Sequence, residues 1–153
     1  MRTWKGLIVF LVLVACAAAA GMFAKPDAWF AALAKPPFNP PDFVFAPVWT
    51  VLYACMAIAA WRVFRVDGLG VPVGLWIAQL VFNAAWSPLF FGAHRPGWAL
   101  LDIVVMWVLI GLTTVRFWRI DRPAGWLMAP YWAWVTFAAM LNAAIWHLNG
   151  GAL

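Results

Sequence analysis

Of the 153 residues, 67% are hydrophobic and 10% charged, where a soluble domain is about half apolar and a quarter charged. That excludes an ordinary water-facing surface and makes this an all-α membrane protein. The net charge of +5 does not imply nucleic acid as partner, because the basic residues sit at the ends of apolar runs rather than along one soluble face.

Uncharged stretches give five spans, at about 5–24, 43–65, 72–91, 96–118 and 123–147. Each supplies the roughly 20 residues that a bilayer-crossing helix needs. Residues 1–153 therefore read as a single domain, a five transmembrane helix bundle with a Pro-rich cap loop at 25–42. The first run also has the basic start and Ala-rich end of a signal peptide, and Leu13-Val14-Ala15-Cys16 resembles a lipoprotein processing site. Cleavage would leave four helices and no exported domain, so a retained span is preferred. Cys16 and Cys55 both fall inside spans and read as small buried hydrophobes.

After Lys25-Pro26, Asp27 is placed to cap a short interfacial helix carrying Trp29 and Phe30. Lys35-Pro36-Pro37-Phe38-Asn39-Pro40-Pro41-Asp42 follows. Its prolines remove backbone donors and push their predecessors toward extended geometry, so no helix forms there. The segment is a stiff connector, either a roof over the aromatic residues beneath it or a plain membrane-surface link. Pro47 falls in the first turn of the next helix, where a missing N–H costs little.

In the second span Trp49, Tyr53 and Met56 share one face, as core packing or as a ligand wall. The Asp67–Pro72 turn leads to a third span in which Gln79 and Asn83 share a face and are expected to bond across helices. Pro88 closes that span and is expected to kink it. The fourth span carries Asp102, the one acid within a span. An intramembrane carboxylate is a functional hypothesis by default, but this one lies about two turns from the helix end and also fits a structural role. Its expected partners are Asn83, Gln79 or a tryptophan N–H. Before the fifth span Asp121 is placed as a cap, and Pro130 interrupts the helix. Trp134, Ala138, Leu141, Asn142 and Ile145 then share one face.

Arg2, Lys5, Arg62, Arg65, Arg116, Arg119 and Arg122 fall on one side of this arrangement, and Lys25, Lys35 and Arg95 on the other. By the positive-inside rule the N-terminus is cytoplasmic and the cap loop faces outward. The bacterial-style start makes an inner membrane the expected location.

The chain resembles the tryptophan-rich sensory protein/translocator protein (peripheral benzodiazepine receptor) family, as a bacterial member. The resemblance covers about residues 22–147 and rests on five stretches in the family's order. These are Lys35–Pro41, Pro47-Val48-Trp49-Thr50-Val51-Leu52-Tyr53, Asn83-Ala84-Ala85-Trp86-Ser87-Pro88-Leu89-Phe90-Phe91-Gly92, Gly97–Asp102 and Pro130-Tyr131-Trp132-Ala133-Trp134. It implies a five-helix bundle, commonly a homodimer, with a cavity beneath the loop joining the first two helices. It further implies a tetrapyrrole ligand, protoporphyrin IX or haem, with no obligatory cofactor. By motif position the lining residues would be Phe45, Ala46, Trp49, Asn83, Trp86, Trp98, Trp134, Ala138 and Leu141. Large flat aromatics with few polar groups suit a planar apolar macrocycle. The sterol pattern proposed for the family needs a Tyr followed by Lys or Arg, and Leu141–His147 has neither, so sterol binding is doubtful.

Three functional readings follow. The first is a membrane sensor or carrier of tetrapyrroles, with Lys25, Lys35 and Arg95 facing the propionates or ordinary lipid headgroups. The second is light- and oxygen-dependent porphyrin breakdown, which the resemblance attaches to Trp49 and Trp134. No nucleophile–base pair, phosphate loop or metal-spaced Cys/His cluster supports other catalysis, and His94 and His147 are candidates for axial ligation only. The third is a transporter, for which a lone Asp102 is thin support.

Overall fold

The computed structural model describes residues 3–152, so Arg2 lies outside the described residues. Six α-helices follow one another: α1 Trp4–Met22, α2 Ala28–Ala32, α3 Phe45–Asp67, α4 Val71–Ser87, α5 Pro96–Ile120 and α6 Arg122–Leu148. The helix count is thus six rather than five: five are long, and the sixth is the short α2 in the cap segment, where the sequence predicts an interfacial helix capped by Asp27. It forms because the Asp27 carboxylate accepts the Phe30 N–H at 3.1 Å, supplying a partner to a first-turn amide.

Four of the long helical segments are apolar and long enough to cross a membrane: 4–22, 42–67, 71–92 and 96–120. Helix α6 is long enough at 27 residues but is not among them. Four tryptophans, Tyr131, Asn142 and two prolines lower its mean hydropathy, although indole rings readily occupy a bilayer interface.

The helices pack around one interior. α5 and α6 form the most extensive pair, followed by α4 with α5 and α3 with α6, while α1 lies against α3 and α4. Met56, Ala57, Ala59, Ala60 and Val63 of α3 are fully buried, and small residues there let the neighbouring backbones approach closely. Phe10 of α1 meets Phe64 and Trp76 with ring centroids 5.7 and 5.6 Å apart. The opposite faces carry large exposed apolar side chains, such as Ile8 and Val12 on α1 and Val104, Val108 and Leu112 on α5. A lipid solvent makes that inversion stable, since such residues gain nothing by turning inward from hydrocarbon.

Several local expectations change. Pro88 opens a π-helical turn over Pro88–Gly92, absorbing the lost hydrogen bond by widening the helix before α5 begins. Asp121 stands at the N-cap of α6 but makes no capping bond; its carboxylate instead accepts from Nε and Nη2 of Arg62 on α3. A bidentate guanidinium outcompetes a single backbone amide. Cys16 is exposed and Cys55 half-buried, so neither is the fully buried small hydrophobe expected of it.

Candidate ligand-binding site

The Pro-rich segment is clamped to the bundle through Asn149 and stiffened by the bonds of Lys35 within the cap. Asn149, just beyond α6, accepts the Ala34 N–H at 3.0 Å and donates to the Ala34 carbonyl at 2.9 Å. Lys35 turns back and donates to the carbonyls of Phe30 at 2.6 Å and Leu33 at 3.2 Å, with its ammonium 4.5 Å from the Phe30 ring centroid. The ammonium that the sequence offers for propionates thus closes the C-terminal end of α2, where unsatisfied carbonyls favour a cation. Pro36 is buried against the bundle.

Beneath this roof runs a line of aromatic rings. Phe38 of the roof meets Phe137 at 6.3 Å, Phe137 meets Trp134 at 5.5 Å, and Trp134 meets Phe45 at 5.9 Å. Phe45 and Trp134 are half-buried and Ala46 is exposed, while Ala138 lies one turn beyond Trp134. The Trp134 Nε1–H is buried and has no acceptor. A buried donor without a partner is costly, and a ligand acceptor is one way to satisfy it.

Deeper in, Trp49 lies 5.4 Å from Tyr53 and 6.1 Å from Tyr131. These rings rest on a polar relay. Tyr53 Oη donates to Asn83 Oδ1 at 2.7 Å, Asn83 Nδ2 donates to Tyr131 Oη at 2.9 Å, and Tyr131 Oη donates to Gln79 Oε1 at 2.7 Å. The expected sharing of a face by Gln79 and Asn83 is therefore seen, with tyrosines as their partners. Asp102 is not joined to either: it is 7% exposed, and its Oδ2 has no hydrogen-bond partner.

On the other flank Trp86 stacks on Phe90 at 5.0 Å, and its Nε1 donates to Asn142 Oδ1 at 3.0 Å. Leu141 packs with Phe90, Ala99 and Ile145. The structure thus brings Phe45 into ring contact with Trp134, seats Trp49 on the Asn83 relay, and packs Trp86 into the same apolar cluster as Leu141. Trp98 it does not bring in. That residue is 51% exposed and belongs to neither apolar cluster. Sequence reasoning also passed over Phe38, Phe137 and Asn149; Phe137 was reachable, being three residues from Trp134 on one helical face. A groove of about 570 Å³ lies on the roof itself between Pro26, Asp27, Lys35, Asn39 and Asp42, and none of the nine motif-derived residues lines it.

Neither histidine belongs to the row of rings from Phe38 to Phe45. His147 is exposed. His94, at φ 54°, stacks on Trp29 at 4.3 Å and pairs through Nε2 with Asp27 Oδ2 at 3.0 Å. Donation from Phe30 N–H, and then the bond to His94, hold the Asp27 carboxyl below its ordinary value of 3.8. A depressed carboxylate contributes stability above its unfolded pKa and loses it as pH falls through the folded value. Protection of the Phe30 amide, its exchange rate relative to the intrinsic rate at the same pH, is therefore expected to fall below about pH 3.8 in the native chain. In Asp27→Asn the protection should show no such carboxylate titration; an identical pH profile in both would disprove the cap's role.

The profile of the TspO/MBR family matches residues 8–147. The chain belongs to that family. Its TspO/MBR relatives include the tryptophan-rich sensory protein of Cereibacter sphaeroides, 40% identical over 95% of this chain and 92% of that one. Protein CrtK of Rhodobacter capsulatus is 38% identical over 94% and 92% of the two chains. The human translocator protein is 39% identical over 80% of this chain and 76% of its own. Membership, with several apolar helices, makes this a multi-pass integral membrane protein of the TspO/MBR sensory and translocator group.

Proposed function

We propose that the protein binds a planar tetrapyrrole, protoporphyrin IX or haem, and acts as its sensor or carrier. The observation that carries this reading is the row Phe38–Phe137–Trp134–Phe45 beneath a clamped roof, with the Trp134 Nε1–H buried and unpartnered. Flat rings offer faces and edges against which another flat ring can pack, and the unsatisfied Trp134 donor can orient it. Phe45, Ala46, Trp49, Trp134 and Ala138 form the near wall, and Asn83, Trp86 and Leu141 the base. Trp98 reaches the ligand only if α5 shifts. Lys5 and the arginines at the ends of α3, α5 and α6 support a cytoplasmic side at that end and a bacterial inner membrane as the location, by the positive-inside rule, and the resemblance favours a homodimer.

The test is a dark titration of the detergent-purified protein with protoporphyrin IX, following quenching of its 13 tryptophans. Saturation at one ligand per chain is expected, with affinity reduced about tenfold in Trp134→Phe, which keeps a ring but removes the donor. Linear quenching, or unchanged affinity in both Trp134→Phe and Trp49→Phe, would remove the assignment.

Light-dependent breakdown is a second reading, favoured by the placing of Trp49 against Tyr53 and Tyr131. Oxidisable rings then surround any excited pigment. Pigment bleaching under light that is as fast in Trp49→Phe/Trp134→Phe as in the native chain would exclude a specific part for these residues.

A further inference from the structure

The α5–α6 seam carries a second constellation on its outer face, at the end of the bundle where α5 turns into α6. Arg116 and Arg119 lie in the last turns of α5 and Arg122 opens α6. All three are exposed, and among the described residues none has a hydrogen bond or ion pair. The nearby Asp121 is already taken by Arg62, so the rim keeps its full positive charge. Beside it Trp118 and Trp126 form an exposed indole pair with centroids 4.7 Å apart, 37% and 64% exposed. Indoles so placed mark the boundary between headgroups and acyl chains, which sets the guanidiniums at phosphate depth.

From that boundary an apolar path leads inward. Trp107 and Trp118 are eleven residues apart, close to three helical turns, so they share a face, with Val104 and Val115 beside them. At the far end a second cavity, of about 180 Å³, is lined by Val104, Trp107, Thr136, Ala139 and Met140. It offers no polar surface, because Trp107 Nε1 donates to Thr136 Oγ1 at 2.7 Å and the Thr136 hydroxyl donates to Trp132 O. The twelve residues from Arg119 back to Trp107 rise about 18 Å. One leaflet of hydrocarbon is about 15 Å deep. The cavity therefore lies where an acyl chain ends when its phosphate sits at the arginine rim.

We propose that the outer flank of the α5–α6 seam is a binding site for one anionic phospholipid. Its phosphate rests on Arg119 and Arg122, and one acyl chain runs over Trp118 to the Val104–Met140 cavity. The occupant is a phospholipid rather than a second copy of the chain, because unpaired cations on this rim would face the same cations of a symmetry mate. The site is separate from the roofed aromatic site and does not depend on its ligand.

The probes are phosphatidylglycerol and phosphatidylcholine of identical chains, titrated onto the purified full-length protein and counted by native mass spectrometry. Phosphatidylglycerol is expected to be retained about tenfold better, as one molecule per chain. Arg119→Gln/Arg122→Gln should bring the two lipids level while leaving the melting temperature in phosphatidylcholine unchanged, since neither side chain has a protein partner. A chain-length series of phosphatidylglycerols on the native protein tests the path without altering the fold. Retention should rise with length until the chain spans about 18 Å and then level off. Equal retention of the two headgroups, indifference to the arginine variant, or a rise with no plateau would each overturn the site. So would arginine-dependent dimers in place of bound lipid.

Discussion

Replacing Tyr131 with phenylalanine should destabilise the bundle by about 1–3 kcal/mol, although it removes a single oxygen. That hydroxyl is fully buried and is the centre of the polar relay. Without it Gln79 Oε1 loses its donor and Asn83 Nδ2 its acceptor. Gln79 Nε2 already lacks a partner, so the whole Gln79 side chain would be unpaired at zero exposure. Interhelical hydrogen bonds in bilayers often measure below 1 kcal/mol, because the unfolded helices also find partners. Here two groups are orphaned at once, and the value should sit within the range above rather than at that average. The diagnostic is rescue. Tyr131→Phe/Gln79→Leu removes the amide along with its partner and should recover most of the loss, since an apolar pair of similar shape leaves less desolvated polarity behind. Thermal unfolding in detergent reads both variants. A double variant as unstable as the sum of its singles would mean that Tyr131 acts through packing alone. Ligand affinity should fall in Tyr131→Phe as well, because Trp49 rests against that ring and Asn83 fixes Tyr53 beside it.

The relay also illustrates what the sequence discloses and what it withholds. The spacing of Gln79 and Asn83 places two polar side chains on one face of α4, and the spacing of Trp49, Tyr53 and Met56 does the same on α3. Both stripes are found as read, with Met56 fully buried. Periodicity orients a face but names no partner, so Asp102 seemed the natural mate for Asn83, while the tyrosine hydroxyls in fact reach the amides. The Asp27 cap was legible because capping is local, spanning three residues. Its second bond, to His94 some 67 residues away, was not. Asn149 likewise clamps Ala34 across 115 residues, which no local pattern anticipates. Charges mislead for the same reason: Asp121 has the position of a cap, but the fold brings Arg62 to it. Of the aromatic site, spacing gave only the faces that carry Trp49 and Trp134, Phe45 and Trp86 came from the family resemblance, and Phe137 was missed. Phe38 was not readable, since its placement depends on where a proline-stiffened roof lands. Trp98 shows the reverse case, a motif residue that faces away from the cluster.

Glycine substitutions along the helices give a graded test of how closely the backbones approach. Alanine is about 1 kcal/mol better than glycine in a helix interior, so each exchange begins with a gain. What an added Cβ meets decides the sign. At Gly74 it would meet nothing within 4 Å, and Gly74→Ala is expected to raise the melting temperature. At Gly111 it would fall 2.7 Å from Trp132 Cζ2, the edge of an indole held at 5.5 Å from Trp107. That ring can tilt, so the cost of its displacement should roughly cancel the helical gain. At Gly125 the Cβ would lie 2.8 Å from the Trp118 Cα, as well as 2.7 Å from its ring. A backbone atom cannot rotate away, so the α5–α6 turn must open. Overpacking of this kind costs about 1–3 kcal/mol, more than propensity returns. The expected order of melting temperatures is Gly74→Ala above the native chain, Gly111→Ala near it and Gly125→Ala well below. Opening that turn would also part Trp118 from Trp126 and move Arg119 away from Arg122. Gly125→Ala should therefore lose its preference for phosphatidylglycerol even at temperatures where it remains folded, whereas Gly74→Ala, on α4, should keep it. A Gly125→Ala protein that melts with the native chain would mean that α5 and α6 are farther apart at this turn than 2.8 Å allows.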